Sequence, residues 1–86
     1  MESARCKAFM YAADTGSFTK AAERLNYTPS GVSQLVGALE NETGLTLLRR
    51  TRKGVTLTPD GEILLPAVRE FLEKENRIYE LAAEVK

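Results

Sequence analysis

The chain has 86 residues, 43% of them hydrophobic, with 12 Lys and Arg against 12 Asp and Glu, one cysteine and no histidine. That length allows one core and one extended helix, not two separate domains. With Cys6 alone, neither an intrachain disulfide nor a cysteine zinc site can form. No signal peptide or membrane-spanning run is visible, so a reduced, cytoplasmic chain without cofactor or metal is expected.

The first helix is expected from about Ser3 to Thr15. Phe9, Met10 and Ala13 face inward, Ala8 and Ala12 offer small contacts, and Cys6 acts as a small buried hydrophobe. Asp14-Thr15-Gly16 marks its end. Ser17 then suits an N-cap, because its hydroxyl can accept from the free amides of the next turn. Phe18, Ala21, Ala22 and Leu25 recur at helical spacing, and the two alanines let a second helix cross closely. Asn26 tolerates the left-handed conformation that ends a helix.

The next helix carries a cap and a first-turn proline, Thr28 and Pro29. Val32, Leu35, Val36 and Leu39 form its buried stripe. The opposite side shows Ser30, Ser33, Gln34 and Gly37, where a solvated helix usually carries charges spaced at i and i+4. Two helices joined by so short a turn are a helix-turn-helix, here about 18–37. An ordinary αα-hairpin has the same seam. The small polar outward face favours approach to base edges and phosphates.

Leu45, Leu47, Val55 and Leu57 alternate with polar residues, which predicts a hairpin over about 46–57. Gly54 is read as its turn glycine. Four of the five residues Arg49–Lys53 are basic, giving a hairpin, or wing, tipped with positive charge. A solvated turn is the plain alternative. Charge is unevenly distributed along the chain: residues 1–58 hold eight basic and five acidic residues, and residues 59–86 hold four and seven. The front is thus net positive although the whole is neutral, and local charge governs attraction to phosphate. Glu40 and Glu42 are read as solvated.

Thr58-Pro59 repeats the cap-and-proline device, with Asp60 and Glu62 at the positive end of the helix dipole. Pro66 either kinks the last helix or marks its true start. Leu64, Val68, Phe71, Glu75, Ile78, Ala82 and Val85 alternate by four and three, the spacing of a coiled-coil seam. Leu65, Leu72, Tyr79 and Leu81 widen the apolar surface. The reading is a homodimer through residues 59–86, with Leu64, Val68, Phe71, Leu72, Ile78, Ala82 and Val85 at the interface. Folding back on the chain's own core is the alternative.

These residues resemble a known family. The run from Gly16 to Leu25, then Ser33-Gln34, Leu39-Glu40, Gly44, Leu47, Arg50 and Leu57-Thr58-Pro59-Asp60-Gly61, is similar to the N-terminal domain of LysR-type bacterial transcriptional regulators over essentially the whole chain. The resemblance implies a mainly α fold, a winged helix-turn-helix over residues 1–58, with a three-helix core and a β-hairpin wing, followed by a long dimerisation helix. It implies sequence-specific binding of double-stranded DNA, at interrupted palindromes, by a homodimer. It also implies a C-terminal domain, absent from these residues, that binds a small-molecule effector. By position, Pro29, Ser30, Ser33 and Gln34 match the base-reading segment. Ser17, Thr19, Thr28 and Arg50 match backbone-contacting positions, and Arg52 and Lys53 lie at the usually basic wing tip. Gly37 stands where many members carry a basic residue. A winged-helix protein-interaction module without specific DNA binding is the alternative function; an enzyme is not expected.

Overall fold

The computed structural model describes residues Met1–Lys86. The order is α1 (Ser3–Thr15), α2 (Phe18–Leu25), α3 (Pro29–Thr43), β1 (Leu48–Thr51), β2 (Gly54–Leu57) and α4 (Pro59–Val85). This is the expected winged helix-turn-helix: helices α1–α3 enclose the core, the two strands form the wing, and α4 extends from it.

Helix α1 packs on α2, α3 and α4 together. Its buried side chains are Cys6, Ala8, Phe9 and Ala12, while Met10 and Ala13 are only half-buried. Ala8 and Ala12 make the small contacts expected of them, while Met10 and Ala13 pack only partly on the core. A helix with neighbours on three sides needs small residues at the points of closest approach, and Ala8 and Ala12 provide them. Gly16 ends α1 at φ 69°, donating its N–H to Ala12 O.

Three caps behave alike because capping is local chemistry. The Ser17 hydroxyl accepts from Lys20 N, that of Thr28 from Gly31 N, and that of Thr58 from Gly61 N. Asn26 adopts φ 57° and closes α2. Helix α3 carries the expected stripe through Leu39 and runs on to Thr43, where Gly44, at φ 73°, stops it.

The strands pair antiparallel, with Leu48 opposite Leu57 and Thr51 opposite Gly54. Gly54 does more than serve the turn. A Cβ on it would lie 2.1 Å from Gly16 O, and the next residue, Val55, donates its N–H to that same oxygen at 3.0 Å. The wing is thus pinned to the α1–α2 turn at a point too tight for any side chain. Leu47 and Leu48 are both buried, which breaks the simple alternation expected. Leu47 lies outside the strand, and Glu40 holds its N–H at 2.7 Å and that of Leu48 at 3.3 Å. Glu40 is therefore not merely solvated: it ties α3 to the start of the wing. Glu42 is engaged as well, accepting from Arg5 Nη1 at 2.6 Å, which links α3 to α1.

The start of α4 is fixed from several directions. Thr58 donates its hydroxyl to Thr46 O at 2.6 Å and its N–H to Leu47 O at 3.0 Å. A Cβ on Gly61 would fall 2.1 Å from Leu47 O, so only glycine fits there. Helix α4 begins at Pro59 and continues through Pro66, which rules out Pro66 as its start. Its first half buries Leu65 and Val68 against the body, and Leu72 packs partly there. Arg69 braces this seat through a two-point contact with Asp14, Nη1 to Oδ2 at 3.1 Å and Nη2 to Oδ1. Beyond Glu75 every residue of α4 is exposed. The molecule is correspondingly long, 48 × 25 × 18 Å.

Candidate nucleic-acid interface

The start of α3 presents the expected polar face. Pro29, Ser30 and Gln34 are exposed and Ser33 is half-buried. Thr28, also exposed, caps the helix through Gly31 N at 3.0 Å and shares a 3.3 Å hydrogen bond with the Ser30 hydroxyl. Pro29 has no N–H and the Gly31 N–H is taken, so Ser30 N–H remains as a first-turn donor for an outside acceptor. A Cβ on Gly37 would meet nothing within 4 Å, so the middle of this face is simply bare.

At α2 the Ser17 hydroxyl is occupied by Lys20 N at 3.2 Å and is half-buried, whereas Thr19 is exposed. The amides of Phe18 and Thr19 precede the first intrahelical bond and are free for an anion, at the positive end of the helix dipole.

The wing supplies the cations. Arg50 sets its guanidinium 4.8 Å from the centre of the Phe18 ring, a cation–π contact that parks it over the start of α2. Arg50, distant in sequence, is thereby brought to the start of α2, where Ser17 and Thr19 lie. Arg52 and Lys53 are exposed in the turn. That turn is stiffened by the Thr51 hydroxyl, which donates to Gly54 O at 3.0 Å and accepts from Lys53 N at 3.3 Å. Phe18 packs partly on the core as expected of the buried face, but its role as a platform for Arg50 is missed by sequence reasoning. It also misses Glu40 as the strut between helix and wing. A large aromatic one residue after a cap, and a glutamate near a helix end eight residues before a strand, are the available signals.

The structure divides the predicted dimer seam. Val68 is 6% exposed and buried in the chain's own core, so it is corrected from partner-facing to internal, while Leu72 is half-buried and packs only partly there. Leu64 is half-buried. Phe71, Ile78, Ala82 and Val85 are exposed, with Ile78 at 66% and Val85 at 87%. The first half of α4 thus seats on the body, and its second half carries bare apolar residues.

No cluster of three or more His, Cys, Asp or Glu is placed to hold a metal ion. Burial pushes the Cys6 thiol up, which suits a packing role. No helix is long and apolar enough to cross a membrane.

Residues 4–62 match the family described as bacterial regulatory helix-turn-helix protein, lysR family. The chain is 43% identical over 82 residues to the HTH-type transcriptional regulator AlsR of Bacillus subtilis (strain 168), a match covering 95% of this chain and 27% of that protein. It is 44% identical over 66 residues to the HTH-type transcriptional activator AllS of Klebsiella pneumoniae, covering 77% and 24%. The chain thus spans about a quarter of the length of these curated relatives. Among solved structures it superposes on the CbnR_DBD-DNA complex with a TM-score of 0.90 and 30% identity, covering 99% of this chain and 98% of that one. For the BenM_DBD/benA site 1 DNA complex the TM-score is 0.88 and the identity 27%, with both chains covered in full. Fold, capped helices, wing and match over residues 4–62 lead to one conclusion: the chain belongs to the lysR family of bacterial regulatory helix-turn-helix proteins.

Proposed function

We propose that this chain binds double-stranded DNA sequence-specifically, as a homodimer, and is the DNA-binding part of a LysR-type transcriptional regulator rather than an enzyme. The observation that carries the proposal is the pairing of two surfaces. One is the uncharged, small-residue start of α3. The other is a cationic wing anchored by Gly16–Val55 and Arg50–Phe18. Pro29, Ser30, Ser33 and Gln34 read bases in the major groove, where glutamine can bond adenine at two points. Ser17, Thr19, Thr28, Arg50, Arg52 and Lys53 hold the backbone, where contacts set register without reading sequence. Leu64, Phe71, Ile78, Ala82 and Val85 pair two copies, which sets two α3 helices about one DNA turn apart. A small-molecule effector would act through a separate domain of the regulator, in the cytoplasm.

Fluorescence anisotropy with a labelled random duplex at low and moderate salt tests the proposal. Binding that weakens steeply with salt is expected, and Arg52→Ala should flatten the log–log salt slope by about one unit. No salt-sensitive binding at micromolar protein would favour a protein-interaction module instead, a reading consistent with the neutral total charge.

A further inference from the structure

The flank of α3 beside Gln34 is not flat. Tyr27, Thr28, Gly31, Gln34 and Leu35 line a shallow depression there. Gly31 leaves its floor open: a Cβ at that position would meet the Thr28 hydroxyl at 3.1 Å and the Tyr27 Cβ at 4.0 Å. Tyr27 is held in the α2–α3 turn by its N–H, which donates to Ala22 O at 3.0 Å, yet 47% of the residue is exposed. Leu35 packs partly on the core and is only half-buried. Folding alone therefore accounts for little of this tyrosine's placement. Two residues of the rim, Thr28 and Gln34, also belong to the proposed DNA interface, so the depression continues that interface directly.

Among base edges in the major groove, thymine alone presents an apolar group, its 5-methyl, and an A·T pair presents it beside the adenine N6 and N7 that a glutamine can bond. We infer that Tyr27, Gly31 and Leu35 form an apolar seat for the 5-methyl group of a thymine next to the adenine read by Gln34. This makes Tyr27 and Leu35 specificity-determining residues, and it rests on the reading of double-stranded DNA as the partner. An apolar seat discriminates, because a methyl set into it removes apolar surface from water, whereas the polar edge of another base would be left unpaired there.

The test uses the duplex recovered by selection from a random pool. Each thymine is replaced singly by deoxyuridine, which removes only the methyl, and binding is followed by anisotropy. One position in each half-site should weaken binding about fourfold, the effect of exposing one buried methyl-sized group. Tyr27→Ala should bind the thymine and uracil duplexes equally, Tyr27→Phe should keep the preference, and Gly31→Ala, which fills the floor from within, should lose it. The salt slope should stay unchanged in all three variants. Specific, salt-dependent binding that is insensitive to every such replacement overturns the inference, as does a preference that survives Tyr27→Ala. If no duplex binds in a salt-dependent way, the DNA reading itself fails and takes this inference with it.

Discussion

Glu40 offers the sharpest test of how helix and wing are joined. Its Oε2 accepts Leu47 N–H at 2.7 Å and Leu48 N–H at 3.3 Å. A hydrogen bond to a charged group contributes about 1.5–3 kcal/mol, and the second contact is long, so most of the effect lies in the first. Glu40→Ala leaves both amides without this partner, beside a leucine that is fully buried. Better helix propensity returns only a few tenths of a kcal/mol. The expected loss is about 2–3 kcal/mol, or roughly 10–20 °C in melting temperature for a domain of this size. Glu40→Gln keeps an acceptor and should lose about 1 kcal/mol. Urea and thermal unfolding followed by circular dichroism measure both variants at one fixed protein concentration, because pairing of chains would shift the midpoint. Hydrogen exchange at the Leu47 amide should accelerate in Glu40→Ala before the global transition. If Glu40→Ala lies within about 0.5 kcal/mol of the parent, as a solvated surface residue would, the strut is not an energetic contact and the reasoning fails.

Three further outcomes are expected. Gly54→Ala, at φ 132° and against Gly16 O, should destabilise by about 2 kcal/mol or more, whereas Gly37→Ala, with open space around it, should be neutral or stabilising in the same urea series. The Arg5 guanidinium holds the Glu42 carboxyl below its usual range. A group whose pKa is lower folded than unfolded stabilises above its unfolded value and stops doing so as pH falls through the folded one. Arg5→Gln should therefore flatten the acid limb of a plot of urea midpoint against pH, and an unchanged limb would dismiss the pair. Phe71→Glu should shift sedimentation toward monomer with the helical spectrum intact, because an unpaired charge in an apolar seam is strongly unfavourable. Val68→Glu should instead unfold the chain, and an unchanged mass for Phe71→Glu would place α4 outside any dimer.

The parts legible in sequence are those written in neighbouring residues. Ser17, Thr28 and Thr58 each announce a helix start because a cap and its amides lie within three residues. Gly16 and Asn26 announce the ends for the same reason. What escapes is chemistry between distant segments. Glu40 looks like any helix-end carboxylate until the chain returns to offer two backbone amides, which no side chain advertises. Gly54 looks like a turn residue, but the atom that demands it, Gly16 O, lies in another turn. Arg50 is legible as a cation, not as one seated on Phe18. The α4 spacing does not tell an internal contact from a partner, because Val68 and Phe71 obey one repeat while one packs inward and the other stays exposed. Burial depends on how far the body reaches along the helix, and that is a property of the folded whole.

Selection of bound duplexes from a random pool, run in parallel with the parent chain and Gln34→Ala, tests the central claim most directly. The parent should enrich inverted half-sites centred about 10–10.5 bp apart, or a multiple of that spacing. Gln34→Ala should lose the adenine preference at one position of each half-site, a change of about 1–3 kcal/mol. An unenriched pool, or an enriched site that Gln34→Ala leaves unaltered, would contradict the assignment of the start of α3 as the surface that reads DNA.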